Sequence, residues 1–204
     1  MLLKLYEENT NPKDLKKVTD CLNRGGVIIY PTDTVYAIGC STQHRSAMER
    51  VARIKGLKME KADFSFVFYD LSHISEYTMQ FDSSIFKILK HNLPGPFTFI
   101  LHANKSIAKL FKNKKKTLGI RIPDNAICSA IVEKQEAPLI STSVHDEDEV
   151  LEYTTDPELI YEKYGDQVDM VIDGGYGKNE ASTVVDLSNG EVEIIRQGIG
   201  ELEL

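Results

Sequence analysis

The sequence predicts an α/β domain, a twisted open sheet with helices flanking it. Three observations predict this. Segments of helical and of strand period alternate along the chain. A length of 204 residues fits one domain, residues 1–204, and leaves little room for two. No internal repeat or low-complexity linker breaks the alternation.

The elements follow in order. Leu15, Val18 and Leu22 are spaced three and four apart within Pro12 to Arg24, and Gly25-Gly26 ends the run. That spacing reads as an amphipathic helix with a glycine stop. Val27 to Tyr30 is a short buried strand halted by Pro31. Ala47, Val51 and Ile54 mark a second helix running up to Lys55-Gly56, and Phe64 to Phe68 is a strand. Ser83 to His91 is helical, with Ile85, Ile88 and Leu89 inward. Phe97 to Leu101 and Leu118 to Ile122 are strands, Ala126 to Lys134 is a helix, and Pro138 to Ser143 returns as a strand. A helix over Pro157 to Tyr164 and strands near Met170, Val184 and Ile194 complete the set.

Composition narrows the function classes. With 42% hydrophobic and 27% charged residues the chain is an ordinary globular protein. Burial of roughly 70% of the unfolded surface is expected at this size, so neither disulfides nor a structural metal is required. The three cysteines, Cys21, Cys40 and Cys128, form no C-x-x-C pair and read as reduced thiols. The N-terminus lacks a signal-peptide core, and no apolar run approaches the roughly 18 residues of a membrane span. A cytoplasmic protein without a membrane partner is the expectation. A net charge of −7 argues against broad nucleic-acid binding. Two charge runs stand out, a basic one from Lys105 to Lys116 and an acidic one from Asp146 to Glu162; solvated surface is the ordinary reading of both.

Standard catalytic signatures are absent. There is no phosphate-binding G-x-x-x-x-G-K-[ST], no G-x-G-x-x-G after a strand and no G-x-S-x-G elbow. The five histidines are scattered without ligand spacing, so no metal cage is expected. What stands out is Thr32-Asp33-Thr34, three short polar residues where the first buried strand ends. Such strand ends hold ligands in open sheets, and they also hold Ser/Thr turns; both readings are open at this point. Arg121 sits inside an apolar strand, where an arginine pairs with a carboxylate of the protein or of a ligand. Ser141-Thr142-Ser143 and Arg196 close two further apolar runs, and Ser182-Thr183 opens a third after the glycine-rich Asp173 to Gly177.

At these residues the sequence resembles the YrdC-like family, whose best-known members are threonylcarbamoyl-AMP synthases. Gly26 to Tyr36, Leu93 to Thr98, Gly119 to Pro123 and Ser182 to Asp186 match its motifs in the family's order. Within it the YciO branch shares Ser141-Thr142-Ser143 and the region Asp70 to Tyr77. The resemblance implies a YrdC-like fold with a concave basic cleft. There threonine, bicarbonate and ATP would become threonylcarbamoyl-AMP and pyrophosphate, for tRNA modification, with Mg²⁺ sharing the phosphate charge. It implies that Thr34 and Arg121 hold threonine. It also implies that Lys55, Thr117, Ser141, Ser143, Ser182 and Arg196 surround the nucleotide, Lys55 and Ser143 acting in catalysis. Two departures bear on the reaction. The synthases carry Lys-x-Arg where this chain has Lys55-Gly56-Leu57, and Ser-x-Asn where it has Ser143-Val144-His145. The alternative is a nucleotide-binding protein, or one binding double-stranded RNA or tRNA, that keeps the cleft without the synthase reaction.

Overall fold

The computed structural model describes residues 1–8, 10–111, 116–144 and 154–204. Helix α1 (Pro12–Asn23) starts where the Asn11 side chain accepts from the Lys13 amide, with a proline in the first turn, and it stops before Gly25 at φ +77°. Helix α5 (Ala126–Gln135) is capped in the same way, Asn125 Oδ1 accepting from the Cys128 amide at 2.9 Å. The other helices are α2 (Arg45–Ile54), α3 (Ser83–Asn92), α4 (Lys105–Phe111) and α6 (Pro157–Tyr164).

The strands, in chain order, are β1 (Leu2–Lys4), β2 (Val27–Tyr30), β3 (Ala37–Ser41), β4 (Ser65–Val67), β5 (Phe97–His102), β6 (Thr117–Arg121), β7 (Leu139–Ser143), β8 (Met170–Asp173), β9 (Thr183–Asp186) and β10 (Glu193–Arg196). They form one mixed sheet in the order β1-β8-β2-β3-β7-β4-β6-β5-β9-β10.

The period of two along each strand decides what the two faces do. Ile38, Phe66, Phe99, Leu118, Ile120, Ile140 and Val185 point to one face and join a large core with residues of α2, α3, α4 and α6. On the other face α1 and α5 cover part of the sheet, where Ile28, Tyr30, Val67, Leu139 and Ile172 pack against Leu22, Ile127 and Ile131. Farther along that face, over β7-β4-β6-β5-β9, the side chains become short and polar. A cleft opens there.

The predicted elements are present with ends shifted by a residue or two. Three more strands and helices are found. β1 is too short to show a period. β3 is buried on both faces and contains Gly39, so it shows no alternation. In α4, Ile107 and Phe111 stand four apart and are buried, a helical signal hidden among lysines. Cys21, Cys40 and Cys128 are free and buried. Among the described residues no helix is long and apolar enough to cross a membrane. His145, the acidic residues Asp146 to Glu149, and Lys112, Lys114 and Lys115 lie outside the described residues.

Candidate functional site

The cleft has a volume of about 400 Å³. Its floor is a row of paired residues crossing the sheet, Ser141 opposite Ser65, Ser65 opposite Gly119, and Gly119 opposite Ile100. A Cβ on Gly119 would stand 3.2 Å from the Thr98 methyl and 3.3 Å from Ser65 Oγ, so the missing side chain is part of the space. This differs from the strand-end crevice expected from the sequence. Side chains from the middle of β5, β6 and β7 build the site, because a mixed sheet with one partly uncovered face offers that face instead of a single edge.

One end of the cleft is the turn between β2 and β3. Thr32 Oγ1 donates to the Val35 carbonyl at 2.7 Å and accepts from the Thr34 amide at 3.1 Å. Thr32 therefore forms the Ser/Thr turn that one reading of the sequence expected. Asp33 and Thr34 face Arg121 at the end of β6. Arg121 Nη2 donates to Asp33 Oδ1 at 2.9 Å and to Thr34 Oγ1 at 3.0 Å. Asp33 Oδ2 accepts from the Asp124 amide at 3.1 Å. Burial pushes the Asp33 carboxyl up, against the pull of the Arg121 guanidinium and the Asp124 amide. Both side chains of the pair are less than a tenth exposed. Among the described residues Arg121 Nε is buried and has no hydrogen-bond partner, which is costly for a buried polar group.

A glycine-rich loop closes behind this turn. Tyr36 Oη donates to the Gly175 carbonyl at 2.7 Å and accepts from the Gly174 amide at 3.1 Å. The Lys178 amide donates to the Thr34 carbonyl at 3.2 Å. A Cβ on Gly177 would come within 2.7 Å of the Tyr36 ring, so only glycine allows this approach.

The rest of the polar lining is mostly hydroxyls, with one more guanidinium and Asp63. Tyr30 Oη donates to Ser141 Oγ at 2.9 Å, and burial raises the Tyr30 phenol and keeps it neutral. With Tyr30 as donor, the Ser141 hydroxyl proton is left to point elsewhere. Thr98 Oγ1 and Ser182 Oγ are 2.8 Å apart. Arg196 Nη2 donates to the Ser182 carbonyl at 2.8 Å and approaches Ser182 Oγ at 3.4 Å. Partial burial and the Arg121 charge lower the Arg196 pKa from its ordinary value. The two cations thus feel each other across one cleft, which Asp63 also lines.

Of the residues singled out from the sequence, the structure gathers Thr34, Thr117, Arg121, Ser141, Ser143, Ser182 and Arg196 around this cleft. Lys55 stands apart from the lining, at the C-terminal end of α2. The sequence reading missed Ser65 and Thr98 as lining residues. Each stands between two phenylalanines, in Phe64-Ser65-Phe66 and Phe97-Thr98-Phe99. A lone hydroxyl in an aromatic strand was the available signal.

Comparison with known proteins gives this geometry a relationship. The family model for Sua5, YciO and YrdC proteins, described as telomere recombination, matches residues 20–198. The chain belongs to this family. YciO of Escherichia coli K12 is 36% identical over 201 residues, covering 98% of this chain and 96% of that protein. The crystal structure of E. coli YciO superimposes with a TM-score of 0.89, covering 98% of this chain and 97% of that one. A threonylcarbamoyl-AMP synthase of Coxiella burnetii is more distant, 25% identical over 88% of this chain and 96% of its own. P. abyssi Sua5, solved in complex with L-threonine, shares the fold at a TM-score of 0.86 and 20% identity, over 99% of this chain and 62% of that one. The sequence-based expectation of a YrdC-like chain that resembles YciO therefore holds.

Proposed function

We propose that the cleft binds an amino-acid carboxylate at its Arg121 end and a nucleotide along its hydroxyl-lined floor. The reaction proposed for it is that of a threonylcarbamoyl-AMP synthase: threonine, bicarbonate and ATP to threonylcarbamoyl-AMP and pyrophosphate, in the service of tRNA modification. The observation that carries this reading is Arg121, a lining residue of the cleft whose buried Nε has no acceptor among the described residues. A carboxylate is the acceptor that a guanidinium matches best, and a relative with this fold is solved with L-threonine.

Toward the other end, Thr117, Ser141, Ser143, Ser182 and Arg196 would receive the nucleotide. Adenylation moves charge onto phosphate and carboxylate oxygens, and fixed hydroxyl and guanidinium donors stabilise that charge. Lys55 enters only if the segment after α2 swings toward the cleft. Mg²⁺ finds no ready cage among the described residues. No group of three His, Cys, Asp or Glu side chains stands together as a metal site, and Asp33 is committed to Arg121 and the Asp124 amide. Mg²⁺ carried on the ATP phosphates would need few protein ligands and would share the phosphate charge with the chain's own donors.

The test is direct. Purified protein given ATP, threonine and bicarbonate is expected to release pyrophosphate, and omitting threonine abolishes the signal. A Gly119→Val variant fills the floor against movable side chains. Its stability is expected to change by less than about 1 kcal/mol, while calorimetric affinity for ATP falls at least about tenfold. Unchanged affinity in the folded variant would place the ligand elsewhere.

A second reading, a nucleotide- or RNA-binding protein without the synthase reaction, draws support from one position. Leu57 is 47% exposed just after Gly56 at φ +67°, where the resemblance implies a phosphate-directed arginine. Nucleotide binding without pyrophosphate release would favour it. The double change Leu57→Arg, His145→Asn is expected to raise the synthase rate if those two departures limit it.

A further inference from the structure

We infer that Thr32, which lies outside the cleft lining, is a positioning residue: it fixes the direction of the Thr34 hydroxyl and thereby aims Arg121 at a ligand carboxylate. The inference rests on the amino-acid reading of the cleft given above.

It follows from counting protons. A threonine hydroxyl has one proton and two acceptor sites. The Thr32 proton is committed to the Val35 carbonyl at 2.7 Å, since a carbonyl only accepts. Thr32 Oγ1 and Thr34 Oγ1 are 3.1 Å apart. The proton in that contact must therefore come from Thr34. Thr32 Oγ1 then accepts twice, from the Thr34 hydroxyl and from the Thr34 amide at 3.1 Å. With its own proton turned away, Thr34 Oγ1 presents lone pairs to Arg121 Nη2, 3.0 Å distant.

The guanidinium is thus anchored at one nitrogen by two acceptors, Asp33 Oδ1 and Thr34 Oγ1. Because the group is planar and rigid, fixing Nη2 also fixes where Nε points. Nε and the two N–H groups of Nη1 are left over, without an acceptor among the described residues. Thr32 is 7% exposed and Thr34 is fully buried, so the Thr32–Thr34 contact is shielded from water that would otherwise compete for the proton. Without the Thr32 hydroxyl, the Thr34 proton can turn toward Asp33 or Arg121. The first competes with the ion pair and the second repels the guanidinium; both loosen its aim. The carboxylate is the part of the ligand that reads this aim.

The experiment compares L-threonine with L-threoninamide, which lacks the carboxylate, by calorimetry on the full chain. Wild-type protein is expected to prefer threonine at least about tenfold. Thr32→Val is expected to lose most of that preference through weaker threonine binding, with threoninamide affinity unchanged, and Thr32→Ser to restore it. Thr32→Ala, which places no atom against the Val35 carbonyl, serves if the valine variant does not fold. A residue that only supports the fold would lower both affinities together or neither, and that result overturns the inference. So does a Thr32→Ser variant that folds and lacks the preference. Wild-type protein that binds no threonine overturns the amino-acid reading itself. Threonine binding with the preference intact in both Thr32→Val and Thr32→Ala overturns the inference alone.

Discussion

Arg121→Gln is expected to cost about 3–5 kcal/mol of stability and to abolish threonine binding. The stability loss arises because Asp33, in a side-chain pair less than a tenth exposed, loses its guanidinium partner. Breaking one side of a buried pair is far more damaging than never having had it. The double variant Asp33→Asn, Arg121→Gln carries no stranded charge and is expected to recover a large part of the stability while still failing to bind threonine. Acidity separates the two further. In the single variant the Asp33 carboxyl, already pushed up by burial, loses the cation that pulls it down. A folded-state value above the unfolded one means that the folded form binds the proton more tightly. Stability should therefore rise as pH falls through the folded-state value, and level off below the unfolded value of about 3.9. Urea unfolding at several pH values checks this. A single variant as stable as the wild type at neutral pH would show that the pair is not the buried contact described.

Gly198→Ala, one added methyl, is expected to cost about 3 kcal/mol and to weaken nucleotide binding as well. The methyl would collide with the Ala181 carbonyl oxygen and sit 2.6 Å from backbone atoms of Ser182. These are backbone atoms that no rotamer change can move. The chain after β10 is tied to the start of β9 and the residues before it by bonds that include Gly198 amide to Thr183 Oγ1 at 3.0 Å, Ile199 amide to the Ala181 carbonyl at 3.0 Å, and Thr183 Oγ1 to the Gly200 carbonyl at 2.7 Å. Forcing the two segments apart breaks these and displaces Ser182, whose carbonyl holds Arg196. The checks are the urea midpoint and the calorimetric affinity for ATP. A midpoint within about 0.5 kcal/mol of wild type would mean that the strap yields without cost.

The same contrast, local pattern against spatial partner, separates what could be read from the sequence. α1 and α6 are legible because their apolar spacing is helical and their ends carry Asn11, Pro12, Asp156 and Pro157, whose effects act within one turn. β2 is legible because four apolar residues run between glycine and proline. β3 is not, since burial on both faces erases the alternation that marks a strand. The turn Thr32-Asp33-Thr34 is recognisable as polar and unusual, and of its two readings the Ser/Thr turn is the one the structure shows. Thr32 makes the turn, and Asp33 and Thr34 hold Arg121 across 88 and 87 residues of chain.

By itself the sequence determined the α/β class, most of the elements, the family and many of the polar residues around the cleft. These are carried by periodicity, capping and collinear motifs, all local properties of the chain. Tertiary structure alone decided that the cleft lies on an open sheet face, that Lys55 stands outside its lining, and that Arg121 is half satisfied with Nε left over. Those facts depend on strand order and on which face α1 and α5 leave uncovered. Both are set by long-range pairing, and no window of sequence contains the partners.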